Sequence, residues 1–556
     1  MKKIKNLLPL FFVLILSLFS VIPLFHAGFF PIHDNTQVQR VFEMTGSLQS
    51  GMFPVRWVAD LGFGYGYPVF NFYAPLAYYV GSLINILGFD VLSATKLMMI
   101  LGVLLAGISM YFLAKELWGK FGGALAALLY VFIPYHAVDI YVRGDVAEFW
   151  AYAFIPLVFY ALLKIHQKGS MKFIAAGALA YAALIVSHNL TALMTTPFIL
   201  IFTLMLFLGN KKTGKKLAVA LLLGLLISSF YWLPALLEIN YTNVLSQIGG
   251  GADYKDHFVC LSQLWSSPWG FGGSAKGCVD GMSFMIGKLH IILLLISLVL
   301  FGLGAYLKKV EKKKSILLIF LSIALLFSVF LTLQSSKFIW DALRPMAFFQ
   351  YPWRFLTVVA FFISLISGSI FYCMQALLKN KWLILILFLA LSLVTVLFNG
   401  KYFMAQKYLS VSSNNFTNDY FLRFTTSQIS SEYMPKDFSK LKIYAEMPKG
   451  ITVTQGKFRV ISQTRKTNNY TINYVAVSAS KIIVPIAYFP AWKVSLDGKD
   501  YSYNAVNNGL LVELPKGSHA LIFSFKETSV EILSDILSLS GILTLIIGII
   551  LKKKAL

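Results

Sequence analysis

The residues with the chemistry to do work cluster at the ends of apolar runs. Asp34 follows His33 directly after the first of these runs. A carboxylate there can take a proton from a hydroxyl or help bind a metal. The competing reading is a helix cap, because Asp34-Asn35-Thr36 precedes the periodic residues Val38, Val41 and Phe42; read from the residues alone, the cap is the simpler account. The segment that follows adds Arg40, Arg56, Trp57 and Asp60, with Tyr65, Tyr67 and Tyr73 in a Gly/Tyr-rich run. Arg143, Asp145 and Glu148 lie in YVRGDVAEFW, where the two acids, three apart, share a helical face. They suit a site and a structural ion pair equally. His188 closes an apolar run, a place where a lone histidine more often packs than reacts. Arg344, Trp353 and Arg354 lie in LRPMAFFQYPWRFL; a guanidinium there can grip a phosphate with its fork or reach to lipid headgroups. Trp232, Pro234 and Glu238 end another run in FYWLPALLE. Taken together, arginines for phosphate, aromatics for sugar faces and a carboxylate base suit a polar substrate carried on a lipid phosphate. A transporter vestibule would use the same residue types.

The elements that hold these residues are membrane spans. Of 556 residues, 58% are hydrophobic and 13% charged, far from the balance of a soluble domain. Many apolar runs approach the 20 residues that cross a hydrocarbon core. The net charge of +24 sits mostly in short lysine clusters between those runs. That is the positive-inside pattern, and it excludes nucleic acid as the partner of the basic charge. About twelve spans are predicted, near 7–28, 96–115, 121–138, 147–164, 172–188, 191–208, 216–237, 288–307, 315–333, 355–377, 382–399 and 532–551. The first is read as a retained helix rather than a cleaved signal, since no small-x-small site follows it. Pro75–Leu87 is short and begins at proline, so it is read as interfacial or re-entrant; counting it as a span would put Lys211–Lys216 and Lys308–Lys314 outside. With both termini cytoplasmic, the extracytoplasmic side receives the loop 29–95, the loop 238–287 and the tail 400–531. From about residue 450 that tail alternates polar and apolar residues between Gly/Asn/Asp turns, which predicts an antiparallel β-sandwich-like domain. The layout is therefore a transmembrane domain over 1–399, an outer domain over 400–531, and an anchor with a basic tail over 532–556. Cys373 falls in an apolar run and packs. Cys260 and Cys278 share one polar loop and are candidates for a disulfide if that loop is extracytoplasmic, with two free thiols the alternative.

The motifs also carry a resemblance. Asp34 after the first span, R-x-x-E at Arg40–Glu43, G-x-x-P-x-R-W at Gly51–Trp57 and G-x-G-Y-P-x-F-x-F-Y-x-P-L at Gly64–Leu76 resemble the bacterial and archaeal membrane proteins described as 6-pyruvoyl-tetrahydropterin synthase-related. So do R-G-x-x-x-E at Arg143–Glu148, His188, YWLP at 231–234, SPWGFGGS at 267–274 and PWRF at 352–355. AYFPAWKVSLDGK resembles the C-terminal β-domain of large bacterial membrane proteins implicated in glycosylating envelope polymers. Both groups resemble the GT-C glycosyltransferases. The resemblance implies a GT-C-like helical fold and a polyprenyl-phosphate sugar donor. It also implies an envelope glycan, lipid or protein acceptor and an acidic residue of the first extracytoplasmic loop, the place Asp34 holds. It implies catalytic roles for Asp34, Glu148 and His188. Substrate contacts would come from His33, Arg40, Arg56, Trp57, Tyr65, Tyr67, Tyr73, Arg143, Asp145, Trp232, Arg344, Trp353 and Arg354. Glu43 and Asp60 compete for the place of a second acid, and a divalent metal is left open. The alternatives are a transporter or flippase of lipid-linked saccharides and a noncatalytic assembly protein; few charges at mid-span count against the first.

Overall fold

A computed structural model describes residues 8–249 and 252–554, with side chains not described at 552–554. The lysines at 2, 3 and 5, and the side chains of Lys552–Lys554, which the sequence leads one to expect in the cytoplasm, lie outside the described residues.

Among the described residues, nine helices are long and apolar enough to cross a membrane, ten if the bent pair Lys211–Ile227 and Ser229–Leu237 is one span. The predicted twelve differ from this count for two physical reasons. Val91–Val131 is one 41-residue helix by its hydrogen bonds, but Gly119 breaks it at φ 79° and ψ −179°. A straight helix rises about 1.5 Å per residue, so residues 115 and 123 would stand about 12 Å apart. Instead, a Cβ on Gly123 would lie 2.9 Å from Lys115 Cα. The chain turns back at a glycine that alone tolerates this backbone, and the helix is two antiparallel arms. The other difference is Met171–Ser187, an apolar helix whose 17 residues fall just short of a span by length. Leu76–Ile86 has 11 residues, about half of what a crossing needs. The 63° bend between Lys211–Ile227 and Ser229–Leu237 is bridged by Trp232, whose Nε1 donates to the Leu225 carbonyl at 2.9 Å.

Among the described residues, the lysine clusters at 115–120, 164–172, 211–216 and 308–314 meet at one end of the bundle. Lys164 Nζ meets Glu116 at 2.7 Å, Lys314 Nζ donates to the Leu117 carbonyl at 2.6 Å, and Lys216 Nζ to the Gly169 carbonyl at 2.8 Å. The long first loop, the loop 238–287 and the C-terminal β-structure occupy the other end. Cys260 and Cys278 form a disulfide in that second loop.

Nine strands run from Thr452 to Phe525 in two antiparallel sheets. One has the order β1 (Thr452–Gln455), β4 (Ser480–Val484), β8 (Gly509–Leu514), β7 (Asn504–Val506); the other has β2 (Phe458–Lys466), β3 (Asn469–Ala476), β9 (Gly517–Phe525), β5 (Trp492–Leu496), β6 (Lys499–Tyr501). Alternate residues point inward, as strand geometry demands. Ile472 and Tyr474 of β3, Ile482 and Val484 of β4, Leu510 and Val512 of β8, and Leu521 and Phe523 of β9 are all fully buried. The first loop is clamped between this domain and the bundle. Trp57 packs edge-on against Trp492 at 5.4 Å, and the Tyr65 carbonyl accepts from the Ala487 amide at 3.0 Å. Arg56 donates to Asp535 of the last helix at 2.6 Å and to the Phe230 carbonyl at 2.5 Å.

Candidate functional site

Asp34 is placed by backbone pairing rather than by a helix cap. The His33 amide donates to the Val142 carbonyl at 3.0 Å, and the Asp34 amide to the Arg143 carbonyl at 2.9 Å. Gly144 makes this close approach possible: it sits at φ +68°, and a Cβ there would meet Ile32 Cδ1 at 2.5 Å. Gln37 then bridges the two segments, donating to the Asp34 and Gly144 carbonyls at 3.1 and 2.8 Å. The helix that follows, Gln37–Gln49, takes Thr36 as its N-cap, with no side-chain cap bond. The capping role that the sequence favours for Asp34 is therefore not the one it has. Its carboxylate makes no hydrogen bond or close ion pair among the described residues and lines a cavity of about 280 Å³.

The cavity lies where the polar ends of several helices meet. Its polar wall carries Asp34, Tyr73, Asp145, His188, Arg354 and Glu432; Leu190, Ala235, Ile239, Val244 and Phe348 contribute an apolar side. Gln350 also lines it, at φ +63°, and donates to the Gln247 carbonyl at 3.0 Å, joining two loops across one edge. Asp145 caps the helix Val146–Lys168 by accepting from the Glu148 amide at 3.1 Å. His188 stands at the break between Met171–Ser187 and Asn189–Gly209, with Nδ1 2.7 Å from Thr191 Oγ1.

Behind this wall is a buried ion network. The Arg143 guanidinium pairs with Asp139, with Asp145 at 2.7 Å and with Glu148 at 2.8 Å. Glu148 Oε1 also accepts from Tyr135 at 2.9 Å and Thr357 at 2.6 Å. Trp353 lies under the Arg143 guanidinium, 4.7 Å from its centre. Arg143, Glu148 and Trp353 therefore face protein groups, not the cavity, and Arg143 has no fork left for a phosphate. Arg354 differs. It lines the cavity, is 9% exposed, and its side chain makes no hydrogen bond among the described residues. Its nearest acids, Asp145 and Glu148, are each 3.8 Å away. A buried guanidinium left in this state is short of partners and suited to an anionic ligand.

Charges set the protonation states around Asp34. Burial, reinforced by the Asp145 charge, raises the Asp34 carboxyl to about 6, against the pull of Arg143, Arg40 and Arg354. Burial also pushes up Asp145, but Arg143, His188 and Arg354 outweigh it and hold that carboxyl well below the usual range. Burial moves the His188 imidazole down to about 4 despite nearby Asp145 and Glu148, so the ring is neutral near pH 7. Two acids side by side, one firmly ionised and one poised near 6, is a division that proton-transfer sites use.

Other residues singled out by sequence lie elsewhere. His33 is exposed, its Nε2 3.0 Å from the Phe271 carbonyl of the disulfide-bearing loop. Arg56, Trp57 and Tyr65 hold the β-domain and last helix, as described above. Tyr67 packs on Tyr433 with ring centres 5.6 Å apart. Arg40 is buried, donates to Ser430 at 3.2 Å and lies 3.9 Å over the Tyr73 ring. Arg344 is exposed and does not line the cavity, and Trp232 braces its own helix bend. Neither candidate second acid reaches the cavity: Glu43 is buried and accepts from the Asp60 amide at 3.2 Å. The acids that do face it beside Asp34 are Asp145 and Glu432. Glu432 had no sequence signal, because it sits in an irregular stretch without motif or period. Among the described residues no three His, Cys, Asp or Glu side chains converge as a metal-ligand set, so no residues are assigned to a metal.

Comparison with known proteins places part of this site in a recognised segment. Residues 70–247 match the family model described as 6-pyruvoyl-tetrahydropterin synthase related domain; membrane protein. The match includes Tyr73, Asp145 and His188 of the cavity and ends before Arg354 and Glu432. An uncharacterized protein of Lactococcus lactis subsp. cremoris (strain MG1363) is 26% identical over 239 residues, 40% of this chain and 38% of that protein. Among solved structures, the arabinofuranosyltransferase AftD from mycobacteria aligns with a TM-score of 0.47 and 13% identity, over 74% of this chain and 28% of that one. The apo oligosaccharyltransferase of Archaeoglobus fulgidus aligns at 0.46 and 12%, over 80% and 62%. The chain thus covers less than two thirds of the length of each of these proteins.

Proposed function

We propose that the protein is a membrane glycosyltransferase of GT-C type, moving a sugar from a polyprenyl-phosphate donor to a hydroxyl of an envelope glycan, lipid or protein. The observation that carries this reading is that a carboxylate and a guanidinium, Asp34 and Arg354, face one cavity and neither side chain has a hydrogen-bonding partner among the described residues. In this mechanism the donor phosphate binds Arg354. Asp34 takes the proton of the acceptor hydroxyl as its oxygen attacks the anomeric carbon. The new C–O bond forms while the bond from that carbon to the phosphate oxygen breaks, and its electron pair leaves on the phosphate. Attack opposite the leaving group inverts the anomeric centre. His188, neutral, offers its free Nε2 to the substrate, and Asp145 fixes the charge around Asp34. Glu148 acts indirectly, by holding Arg143 and through it Asp145. The lysines at the far end of the bundle support an extracytoplasmic cavity by the positive-inside rule.

The experiment is a pair of arginine variants assayed for transfer from polyprenyl-phosphate sugars. Arg354→Gln removes a charge-assisted contact of about 1.5–3 kcal/mol, so the donor KM is expected to rise roughly 10- to 100-fold. Arg344→Gln, an exposed change away from the cavity, is expected to leave it unchanged. A donor KM that follows Arg344 instead of Arg354 contradicts the assignment.

A further inference from the structure

His188 and Thr191 meet where Met171–Ser187 gives way to Asn189–Gly209. His188 is the N-cap residue of the second helix, yet its side chain makes no cap bond to that helix's backbone. Its Nδ1 lies 2.7 Å from Thr191 Oγ1 instead. The contact is shielded from solvent, with Thr191 fully buried and His188 only 7% exposed. The histidine lines the cavity and Thr191 does not, so the threonine stands behind the ring.

A hydroxyl beside a neutral imidazole nitrogen can give a proton or accept one. The surroundings of Thr191 decide between the two. Thr195, Thr196 and Thr203 of the same helix donate to carbonyls one turn back, those of Thr191, Ala192 and Ile199, at 2.7, 2.6 and 2.7 Å. The Thr191 hydroxyl makes no such bond; among the described residues its one partner is His188 Nδ1. Were Nδ1 the donor, the Thr191 hydroxyl proton would be buried with no acceptor, which costs more than the bond returns. With the hydroxyl donating, both groups are satisfied. The ring is neutral near pH 7, because burial outweighs the nearby Asp145 and Glu148 charges. Its single proton then sits on Nε2, which makes no hydrogen bond among the described residues.

We propose that Thr191 is a positioning residue for the transfer: by donating to Nδ1 it fixes the His188 tautomer that offers Nε2–H to a substrate oxygen in the cavity. This deepens the glycosyltransferase reading and rests on it for the reaction. It also selects among the roles open to a cavity histidine. A ring with a lone pair on Nε2 acts there as a base or a metal ligand, whereas Nε2–H only donates. The base role stays with Asp34, and the ring meets negative charge as it develops on the leaving phosphate.

The test locates the proton directly. The full-length protein is purified with nitrogen-15 histidine, and the His188 ring signals are assigned by their loss in His188→Gln. Couplings to the ring protons at pH 7.5 then show which nitrogen is protonated. Nε2–H is expected in the wild type and in Thr191→Ser, which keeps the hydroxyl. Thr191→Val keeps the shape and removes the donor. It is expected to move the Nδ1 signal and to lower kcat about tenfold at little-changed donor KM, less than the loss of a whole transition-state donor. Thr191→Ser is expected to restore kcat. A proton on Nδ1 in the wild type overturns the proposal, as does wild-type kcat in Thr191→Val. Should the valine variant fail to fold, the wild-type tautomer and its retention in Thr191→Ser decide. Nε2–H in the wild type with no sugar transfer from any donor supports the tautomer and removes the transferase reading, so the two failures are distinct.

Discussion

Asp34→Asn is expected to abolish sugar transfer, lowering kcat by about 10²–10⁴-fold, the range spanned by a positioned general base. The donor KM is expected to change little, because the proposed mechanism gives the phosphate contact to Arg354. The same carboxylate predicts the pH dependence. In the proposed mechanism transfer needs Asp34 ionised, and its pKa is raised to about 6. Activity should therefore fall tenfold per pH unit below about 6 and level off above it. The sign for stability is opposite to that of a salt-bridged acid. A carboxyl raised from 3.8 to about 6 binds its proton more tightly in the folded state. Stability is then lost as pH rises through that window and stays lower above it. The ionised side chain thus costs stability at neutral pH, and asparagine relieves that cost. Asp34→Asn should melt no lower than the wild type while being inactive, a combination that structural damage does not produce. A variant that retains activity, or one that melts well below the wild type, contradicts this assignment.

The second large effect is on folding. Arg143→Met is expected to destabilise the protein by about 3–5 kcal/mol, because removing one partner of a buried ion network leaves the others uncompensated. Three acids, Asp139, Asp145 and Glu148, lie against that one guanidinium. Burial and the Glu148 charge already push the Asp139 carboxyl well above its usual range, so Asp139 can take up a proton, but Asp145 and Glu148 would lose their main cation. Arg143→Lys should recover little, since a single ammonium cannot meet three acids as a planar fork does. The readouts are the yield of monodisperse protein and its melting temperature. Full stability in Arg143→Met with selective loss of donor binding would contradict the structural role and return Arg143 to the phosphate site.

These two residues show what the sequence could carry. Membrane spans were legible because apolar length and lysine placement are one-dimensional properties, and the β-domain because strands alternate. The break at Gly119 was not, since a glycine in a long apolar run reads as tolerated helix until its φ is known. Asp34, Asp145, His188 and Arg354 all carried a local signal, a polar group at the end of an apolar run, and all four face one cavity. Arg143 carried the same signal, and Arg56 and Trp57 a motif within the first loop, and all three face protein instead. Nothing local separates the two groups: the partners of Arg56 include Asp535 and Phe230, far off in the chain. Glu432 was invisible for the converse reason. It reaches the cavity on an irregular segment that contacts such as Arg40 to Ser430 hold against the first loop.

The central claim, that the chain transfers sugars from a lipid phosphate, is met most directly by incubating the purified wild-type protein with a panel of polyprenyl-phosphate sugars and envelope acceptors and determining the anomeric configuration of any product. The account predicts turnover of at least one donor, with the anomeric centre inverted. No turnover of any donor, together with saturable movement of a lipid-linked saccharide across proteoliposomes, would contradict it and make the cavity a transport site.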